Sequence, residues 1–345
     1  ERSQRSFSAF TAALLYAFNN YSEALRASVA TAGNDFRLGA DEAPPAILSV
    51  ALGAELGKHF ESIANGGPLE GYVGGRYGDK MIDSKSRIVG PVGGSREDRN
   101  RTAPIPFCGN RFEFRAVGSN QNISLPMTIL NTAVAEGCAA ISDLIESGKS
   151  VDEAVQSIVR DNLKIVFNGN GYSEEWHKEA EFERGLPNLK DTAAAWEVFN
   201  SEKNKALFEK HNVFCSEEVE ALRNVSLQRY ADDVLIETDV MLDMLNQGII
   251  PATSQDLQAY GGTGLEGKRK AVYSALETAT QELMDARENF PEDNELEMAK
   301  YASSTLAPLM AKTRAKHDAA EKLIARDLYP YPQYYDMLFP HQEDH

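Results

Sequence analysis

Four charged residues that lie close together in the chain could bind phosphate and a metal ion: Arg101, Arg111, Glu113 and Arg115. The composition of segment 110–117 predicts the best β-strand in the chain. Because side chains alternate along a strand, the last three of these residues would share one face. Two arginines flanking a carboxylate suit a site that handles phosphate and a metal together. The pattern by itself favours a plainer alternative, a solvated strand face with internal ion pairs. The opposite face would be apolar and consist of Phe112, Phe114 and Ala116.

A second stretch, residues 33–45, carries an acid in its later part, 37–45, whose Gly, Asp and Pro content predicts a loop. Glu42 is followed closely by Pro44 and Pro45, which stiffen the backbone and would hold the carboxylate in a defined place. A rigid loop that presents one acid is suited to a general base. The alternative is an exposed loop acid beside a turn. Arg37 opens the same loop.

The composition limits the classes of protein to consider. A chain of 345 residues can bury a large core and predicts one large domain plus a second region. The net charge of −17 disfavours nucleic acid as a partner. No apolar run predicts a membrane-spanning helix. Three scattered cysteines predict neither a disulfide framework nor a zinc site, and they indicate a reducing compartment.

The remaining sequence predicts elements that would position these residues, most of them helices. Ser150 and Glu153 form a capping box that opens one helix. A short strand is predicted at 164–167, a long loop at 64–98 and an irregular tail at 329–340. The other predicted helices are 7–32, a possible short one at 47–60, 126–147, 174–184, 191–200, 202–211, 217–247, and an antiparallel pair at 267–289 and 294–327. Gly33-Asn34 would end the first of these helices, and Gly248 with Pro251 would end the helix at 217–247.

In this order the motifs resemble those of the glutamine synthetase family, and of its type III branch in particular. The resemblance rests on Gly33-Asn-Asp-Phe-Arg-Leu-Gly39, on Gly109-Asn-Arg-Phe-Glu-Phe-Arg-Ala-Val-Gly118 and on Phe167-Asn-Gly-Asn-Gly-Tyr172. It implies an α+β fold with few strands and many helices. Residues 1–225 would be the C-terminal portion of the catalytic domain, and residues 226–345 a helical C-terminal extension.

The resemblance implies an ATP-dependent ligase that joins ammonia to glutamate through a γ-glutamyl phosphate. Glu113 would bind the metal ion, Mg²⁺ or Mn²⁺, that bridges the nucleotide phosphates. Arg115 would contact the γ-carboxylate of glutamate and the transferring phosphoryl group, and would act in catalysis. Arg101 would also act in catalysis by steadying the nucleotide phosphates, and Arg111 would lie on the nucleotide side.

Two further roles follow from the same resemblance. Arg37 would bind substrate glutamate, and Glu42 would lie on a flap and take a proton from ammonium. Where other branches of the family have a further arginine, this sequence has Pro106. The remaining Glu and His metal ligands of the family fall outside the sequence, so the resemblance implies an incomplete site in this chain.

The resemblance also implies a cytoplasmic ring homo-oligomer, suspected to be a dodecamer, with active sites shared between subunits. A plastid location would apply in a photosynthetic eukaryote. Neither nucleic acid nor membrane is expected as a partner. Two alternatives remain open: a related ligase that joins glutamate to another amine, and a non-catalytic helical scaffold.

Overall fold

The chain divides into two compact units, residues 1–223 and 224–345. The computed structural model describes residues 2–72, 81–82, 85, 92–93, 100–109 and 111–338. Helices dominate both units and the strands are few and short, so the predicted fold class is confirmed. The assignment of a catalytic domain and an extension to particular residues stays a prediction.

The first unit is built around one long helix, α1 (Arg2–Ser28), which packs against α4 (Ser124–Glu146), α5 (Val151–Asn162) and α7 (Thr192–Phe199). The approach of α4 to α1 is close, since a Cβ at Gly137 would lie 2.4 Å from the backbone oxygen of Ala13. Phe18 and Leu25 of α1 are fully buried. The helices of this unit after α1 are α2 (Ala32–Arg37), α3 (Gly53–Ala64), α4 (Ser124–Glu146), α5 (Val151–Asn162), α6 (Glu174–Lys178), α7 (Thr192–Phe199) and α8 (Glu202–Lys210).

Two small sheets accompany these helices. The strands β1 (Val50–Ala51) and β4 (Ile105–Pro106) pair in parallel, with Val50 opposite Ile105. The strands β2 (Met81–Ile82) and β3 (Val92–Gly93) pair in antiparallel orientation. These two strands lie within the predicted loop 64–98, most of which falls outside the described residues. Val50 also forms a parallel bridge to Val166.

The second unit is a helical assembly. The helices α11 (Arg269–Glu288) and α13 (Ala307–Glu321) run antiparallel. Tyr301, which precedes α13 by one π-helical turn, donates to Ala286 O near the end of α11, whereas Thr313 within α13 donates to Ala279 O, earlier in α11. Its helices are α10 (Ile250–Tyr260), α11 (Arg269–Glu288), α12 (Glu295–Tyr301), α13 (Ala307–Glu321) and α14 (Tyr334–Leu338). The helix α9 (Ser216–Met244) begins before the unit boundary and ends after it.

The predicted end of the first helix is wrong. The α1 helix ends at Ser28, and Gly33-Asn34 lies inside the next helix, α2. Thr31 caps that helix, since its side chain accepts from the backbone N–H of Asn34. Thr31, two residues before the glycine, therefore starts a new helix where Gly33 had predicted only a helix end.

The predicted stop at Gly248 and Pro251 is also wrong. A π-helical turn, Leu245–Ile249, joins α9 directly to α10. Pro251 lies in the first turn of α10, directly after the π-helical turn, so its missing N–H removes one bond of the helical ladder without ending the helix. Gly248 is needed for a close approach, since a Cβ there would lie 2.7 Å from the hydroxyl of Tyr331.

Three smaller expectations also need correction. Residues 163–165 form a 3-10 turn, so of the predicted strand 164–167 only Val166 makes a β-bridge. Within 47–60, β1 comes first and the helix begins only at Gly53. The tail contains the short helix α14, before which the backbone N–H of Gln333 donates to Asp336.

By length and composition, one described helix could cross a membrane: α4, with 23 residues. The sequence analysis found no such segment. In the structure α4 packs against α1 through Gly137. The expectation of no membrane partner stays a prediction.

Candidate active site

The segment that carries Arg111, Glu113 and Arg115 forms one side of an antiparallel hairpin rather than a regular strand. Within the described part of 110–117, only Phe112 makes a β-bridge, to Phe107. The prediction of a regular strand is therefore wrong, because the segment lacks the continuous hydrogen bonding of one. Asn110, the first residue of the predicted strand, lies outside the described residues.

Prolines in the facing segment explain the incomplete ladder. The N–H of Glu113 donates to Pro106 O at 3.2 Å, and the N–H of Arg115 donates to Pro104 O at 2.9 Å. An antiparallel hydrogen-bonded pair normally exchanges two bonds. Proline has no N–H to return the second one. The backbone oxygen of Arg115 is thereby left available for another donor.

The predicted alternation of faces is visible in the contacts. On the charged face, Glu113 accepts from Arg111 through Oε1 at 2.7 Å and from Arg115 through Oε2 at 3.0 Å. Opposite, the ring of Phe112 lies 5.2 Å from that of Phe107, and Ala116 is fully buried. The apolar face therefore anchors the segment, and the charged face is held together by ion pairs.

The Glu113 carboxylate is stabilised in its ionised form. Hydrogen bonds from Arg115, and then from Arg111 and the Cys108 thiol, outweigh its partial desolvation and hold the pKa of Glu113 below its ordinary value. Burial raises the pKa of the Cys108 thiol, and the Glu113 carboxylate raises it further. At neutral pH Glu113 is thus a charged carboxylate that lies between two cations.

Arg37 connects the first stretch to the hairpin. Its Nη2 donates at 3.0 Å to Arg115 O, the oxygen that receives no hydrogen bond from Pro104. Its Nη1 donates to Asn34 Oδ1 at 3.2 Å and to Ala116 O at 3.4 Å. The guanidinium therefore fastens α2 to the backbone of the hairpin, and its predicted contact with glutamate stays a prediction.

A buried ion pair sets the position of α2. Arg26, which is 1% exposed, donates through Nη2 to Asp35 Oδ1 at 2.9 Å. Its Nε donates to Leu189 O at 2.9 Å, and Asp35 Oδ2 accepts from the N–H of Thr192 at 2.7 Å. Burial raises the pKa of Asp35 in spite of these donors. The pair joins α1, α2 and the start of α7.

Glu42 lies on the exposed loop that follows α2. Its backbone is in the left-handed region, with φ of 59°, which is uncommon for a residue other than glycine. Backbone hydrogen bonds from Gly39 to Pro44 and from Ala43 to Ala40 close the loop. Its carboxylate accepts from Arg101 Nη1 at 2.7 Å, and these two side chains are 75% and 73% exposed.

All six residues predicted for the site form one connected set within the first unit. Arg115 Nη1 donates to the backbone oxygen of Asn100 at 2.9 Å, which ties the Arg101 segment to the charged face of the hairpin. The connected set is Arg37, Glu42, Arg101, Arg111, Glu113 and Arg115.

The sequence analysis missed three residues that hold this set in place: Asn100, Thr102 and Asn168. Asn100 binds Asn168 across 68 residues of chain, and Thr102 binds Gly171 across 69, distances over which spacing carries no signal. The only available clue was their position within or beside the motifs at 100–101 and 167–172.

The residues of the hairpin are compatible with a magnesium ion held partly by phosphate. Mg²⁺ is commonly bound by one or two carboxylates together with phosphate oxygens. Glu113 supplies one carboxylate, and arginines that could hold phosphate surround it. Three guanidinium N–H groups and the Cys108 thiol already donate to this carboxylate, which has about four lone-pair sites, so a metal ion would have to displace at least one of these donors.

One further group of potential metal ligands lies in the second unit, among the described residues. The ligand atoms of His317, Asp318 and Glu321 lie within 4.8 Å of one another. Arg314 Nε donates to Asp318 at 2.6 Å, and the hydroxyl of Tyr329 lies 2.9 Å from His317 Nε2. Asp318 and His317 thus already have protein partners.

Comparison with known proteins identifies the family. Residues 150–260 match the model of the glutamine synthetase C-terminal domain. The chain is 32% identical to the type-3 glutamine synthetase of Dictyostelium discoideum, over 96% of this chain and 48% of that protein. It is 31% identical to a glutamine synthetase of Bacteroides fragilis and 32% identical to one of Butyrivibrio fibrisolvens, again over 96% of this chain. The chain spans about half the length of these relatives. It belongs to the glutamine synthetase family, as the order of its motifs had indicated.

Proposed function

We propose that the protein carrying this chain ligates ammonia to L-glutamate at the expense of ATP, through a γ-glutamyl phosphate intermediate. The observation that carries the proposal is the charged face on which Glu113 lies between Arg111 and Arg115. Arg115 also binds the segment that bears Arg101, which pairs with Glu42. This set supplies cations for transferring phosphate, one metal ligand and one base.

The arginines would supply most of the electrostatic stabilisation of the transferring phosphoryl group. Charge spreads over the equatorial oxygens of the phosphoryl group during transfer, so preorganised cations stabilise the transition state. Arg115 is the best placed of them, since it is mostly buried and its guanidinium is fixed by Glu113 and Asn100 O. Arg101 is exposed and could swing onto the nucleotide phosphates.

Glu113 would hold Mg²⁺ or Mn²⁺, which when bound neutralises the phosphates and polarises the transferring group. The lowered pKa of Glu113 keeps the carboxylate ionised at neutral pH, as a metal ligand must be. A bound phosphate would give Arg111 and Arg115 a new anion to bind. The arginines could therefore exchange Glu113 for phosphate without losing a partner.

Glu42 would accept a proton from ammonium once it leaves Arg101. Its exposed loop suits a flap that closes over the bound intermediate, which would exclude water and protect an acyl phosphate from hydrolysis. The ion pair with Arg101 would hold this flap in a defined position before substrates bind.

The formation of γ-glutamyl hydroxamate from glutamate, hydroxylamine, ATP and magnesium tests this proposal. The protein carrying this chain should form it, and Glu113→Ala should abolish it. A matched control is Glu70→Ala, since Glu70 also pairs with an arginine, Arg5, but outside the set described above. Normal turnover by Glu113→Ala would overturn the metal assignment, and an inactive wild type would overturn the proposed function.

A further inference from the structure

The side chain of Asn100 uses all of its hydrogen-bonding capacity. Its Nδ2 donates to Asn168 O at 3.2 Å and to Gly169 O at 2.9 Å. Its Oδ1 accepts from the N–H of Thr102 at 3.1 Å and from the Thr102 hydroxyl at 2.8 Å. Two carbonyls on one side and two donors on the other fix the orientation of the amide.

Thr102 extends this network to the end of the loop 168–171. Its Oγ1 accepts from the N–H of Gly171 at 2.8 Å while donating to Asn100. A Cβ at Gly171 would lie 3.0 Å from Thr102 O and 3.2 Å from Thr102 Oγ1, so the two backbones are in close contact. Gly171 O in turn lies 3.1 Å from His177 Nε2.

The loop 168–171 is itself anchored at its other end. Asn168 Oδ1 accepts from the N–H of Gly53 at 2.9 Å, at the start of α3, where no side chain of the preceding residue caps the helix. Just before the loop, the ring of Phe167 stacks on that of Trp176 with centroids 3.7 Å apart. The loop is therefore a fixed support for Asn100 and not a mobile segment that follows it.

We propose that Asn100 and Thr102 are positioning residues that hold Arg101 and Arg115 at a set separation for phosphate. The proposal rests on the proposed function. The link is the backbone of Asn100: its oxygen accepts from Arg115 Nη1, and Arg101 is the next residue. Because the Asn100 side chain is hydrogen-bonded to the loop, the backbone oxygen of Asn100 is held in place. Without these hydrogen bonds, the two arginines would no longer share a fixed reference point.

Two nearly isosteric substitutions break this hydrogen-bond network without removing volume. Asn100→Asp replaces two donors by an oxygen that faces the carbonyls of Asn168 and Gly169. Thr102→Val removes the hydroxyl that bridges Asn100 and Gly171, while Thr102→Ser keeps it. Asn65→Asp is the matched control, because the exposed Asn65 side chain donates only to Glu61 O within its own helix end.

The test combines steady-state kinetics with hydrogen exchange of the peptide covering 167–175. Misplacing a catalytic group by about 1 Å can cost about 100-fold in rate. Asn100→Asp and Thr102→Val should lower kcat by about 10- to 100-fold, with a smaller change in the KM for ammonia. In both variants the 167–175 peptide should exchange faster. Thr102→Ser should restore turnover relative to Thr102→Val, and Asn65→Asp should match the wild type.

The outcomes separate this inference from the proposed function. A wild type that forms glutamine, beside Asn100→Asp and Thr102→Val variants of equal kcat, would overturn the positioning role and leave the function standing. Faster exchange with unchanged kcat would overturn it in the same way. A wild type that forms no glutamine with ATP would overturn the proposed function itself. Failure of Thr102→Ser to restore turnover would contradict the role of the hydroxyl.

Discussion

The buried pair between Arg26 and Asp35 makes a quantitative prediction about the element that leads into the site. Asp35→Asn removes the negative charge and leaves the Arg26 guanidinium, 1% exposed, without its counter-ion. Breaking a buried ion pair by removing one partner typically costs about 3–5 kcal/mol. Two effects reduce this cost: burial raises the pKa of Asp35, so its ionised form is itself disfavoured, and Leu189 O and Lys190 O would still accept from Arg26. We therefore expect the lower end of the range, a loss of about 3 kcal/mol in the free energy of unfolding.

Tryptophan fluorescence during urea unfolding measures this loss in the first unit alone. The chain has two tryptophans, Trp176 and Trp196, and both lie within residues 1–223. The matched control is Glu70→Gln, which removes one charge from the more exposed partners of Arg5 and should leave the urea midpoint nearly unchanged.

A double variant identifies the cause of the loss. In Arg26→Met/Asp35→Leu both charges are gone, and burying two apolar side chains costs less than leaving one charge unpaired. The double variant should be more stable than the sum of its single variants predicts. A loss below about 1 kcal/mol for Asp35→Asn, the size typical of surface pairs, would refute the reasoning.

Three other predictions concern stability. Asp256 is fully buried; its burial raises the pKa, but hydrogen bonds from Tyr273, the Ala325 N–H and Arg269 outweigh this and hold it below its ordinary value. Asp256→Asn should destabilise the second unit by about 3 kcal/mol at neutral pH, which faster hydrogen exchange in α11 would show. The difference in stability between wild type and Asp256→Asn should vanish as pH falls through the lowered pKa of Asp256. The pKa of Glu113 is also lowered, so the stability that its ion pairs confer is present above its ordinary pKa of 4.5 and is lost as pH falls through the lowered pKa. The urea midpoints of wild type and Glu113→Gln should therefore differ at neutral pH and converge as pH falls through this range. Gly137→Ala should cost about 1–3 kcal/mol by fluorescence, because the added methyl group meets the backbone of Ala13.

Local sequence signals predicted the helices well because capping and periodicity are local properties. The capping box of Ser150 and Glu153 is present in the structure, and the helix it opens begins at Val151 as expected. Prediction of the strand at 110–117 did not succeed, because the number of its hydrogen bonds depends on prolines in the facing segment. A residue's partner across a hairpin cannot be read from the residue itself.

The candidate site was predictable in its charges and not in its supports. The pairing of Glu113 with Arg111 and Arg115 follows from two-residue spacing on one face. The tie between Asn100 and the loop at 168–171 joins distant segments, and only the fold brings them together. The engagement of Arg37 with backbone oxygens was likewise invisible, since it depends on Pro104 leaving Arg115 O free.

The most direct test of the proposed ligase follows one oxygen atom of the substrate. Glutamate carrying a heavy-oxygen label in its γ-carboxylate is incubated with ATP, magnesium, ammonia and the protein carrying this chain, and the inorganic phosphate is analysed by mass spectrometry. If the carboxylate attacks the γ-phosphoryl group and ammonia then displaces phosphate, each phosphate released must carry one labelled oxygen. Labelled phosphate formed in step with glutamine is the predicted result. Glutamine formed beside unlabelled phosphate would contradict the account.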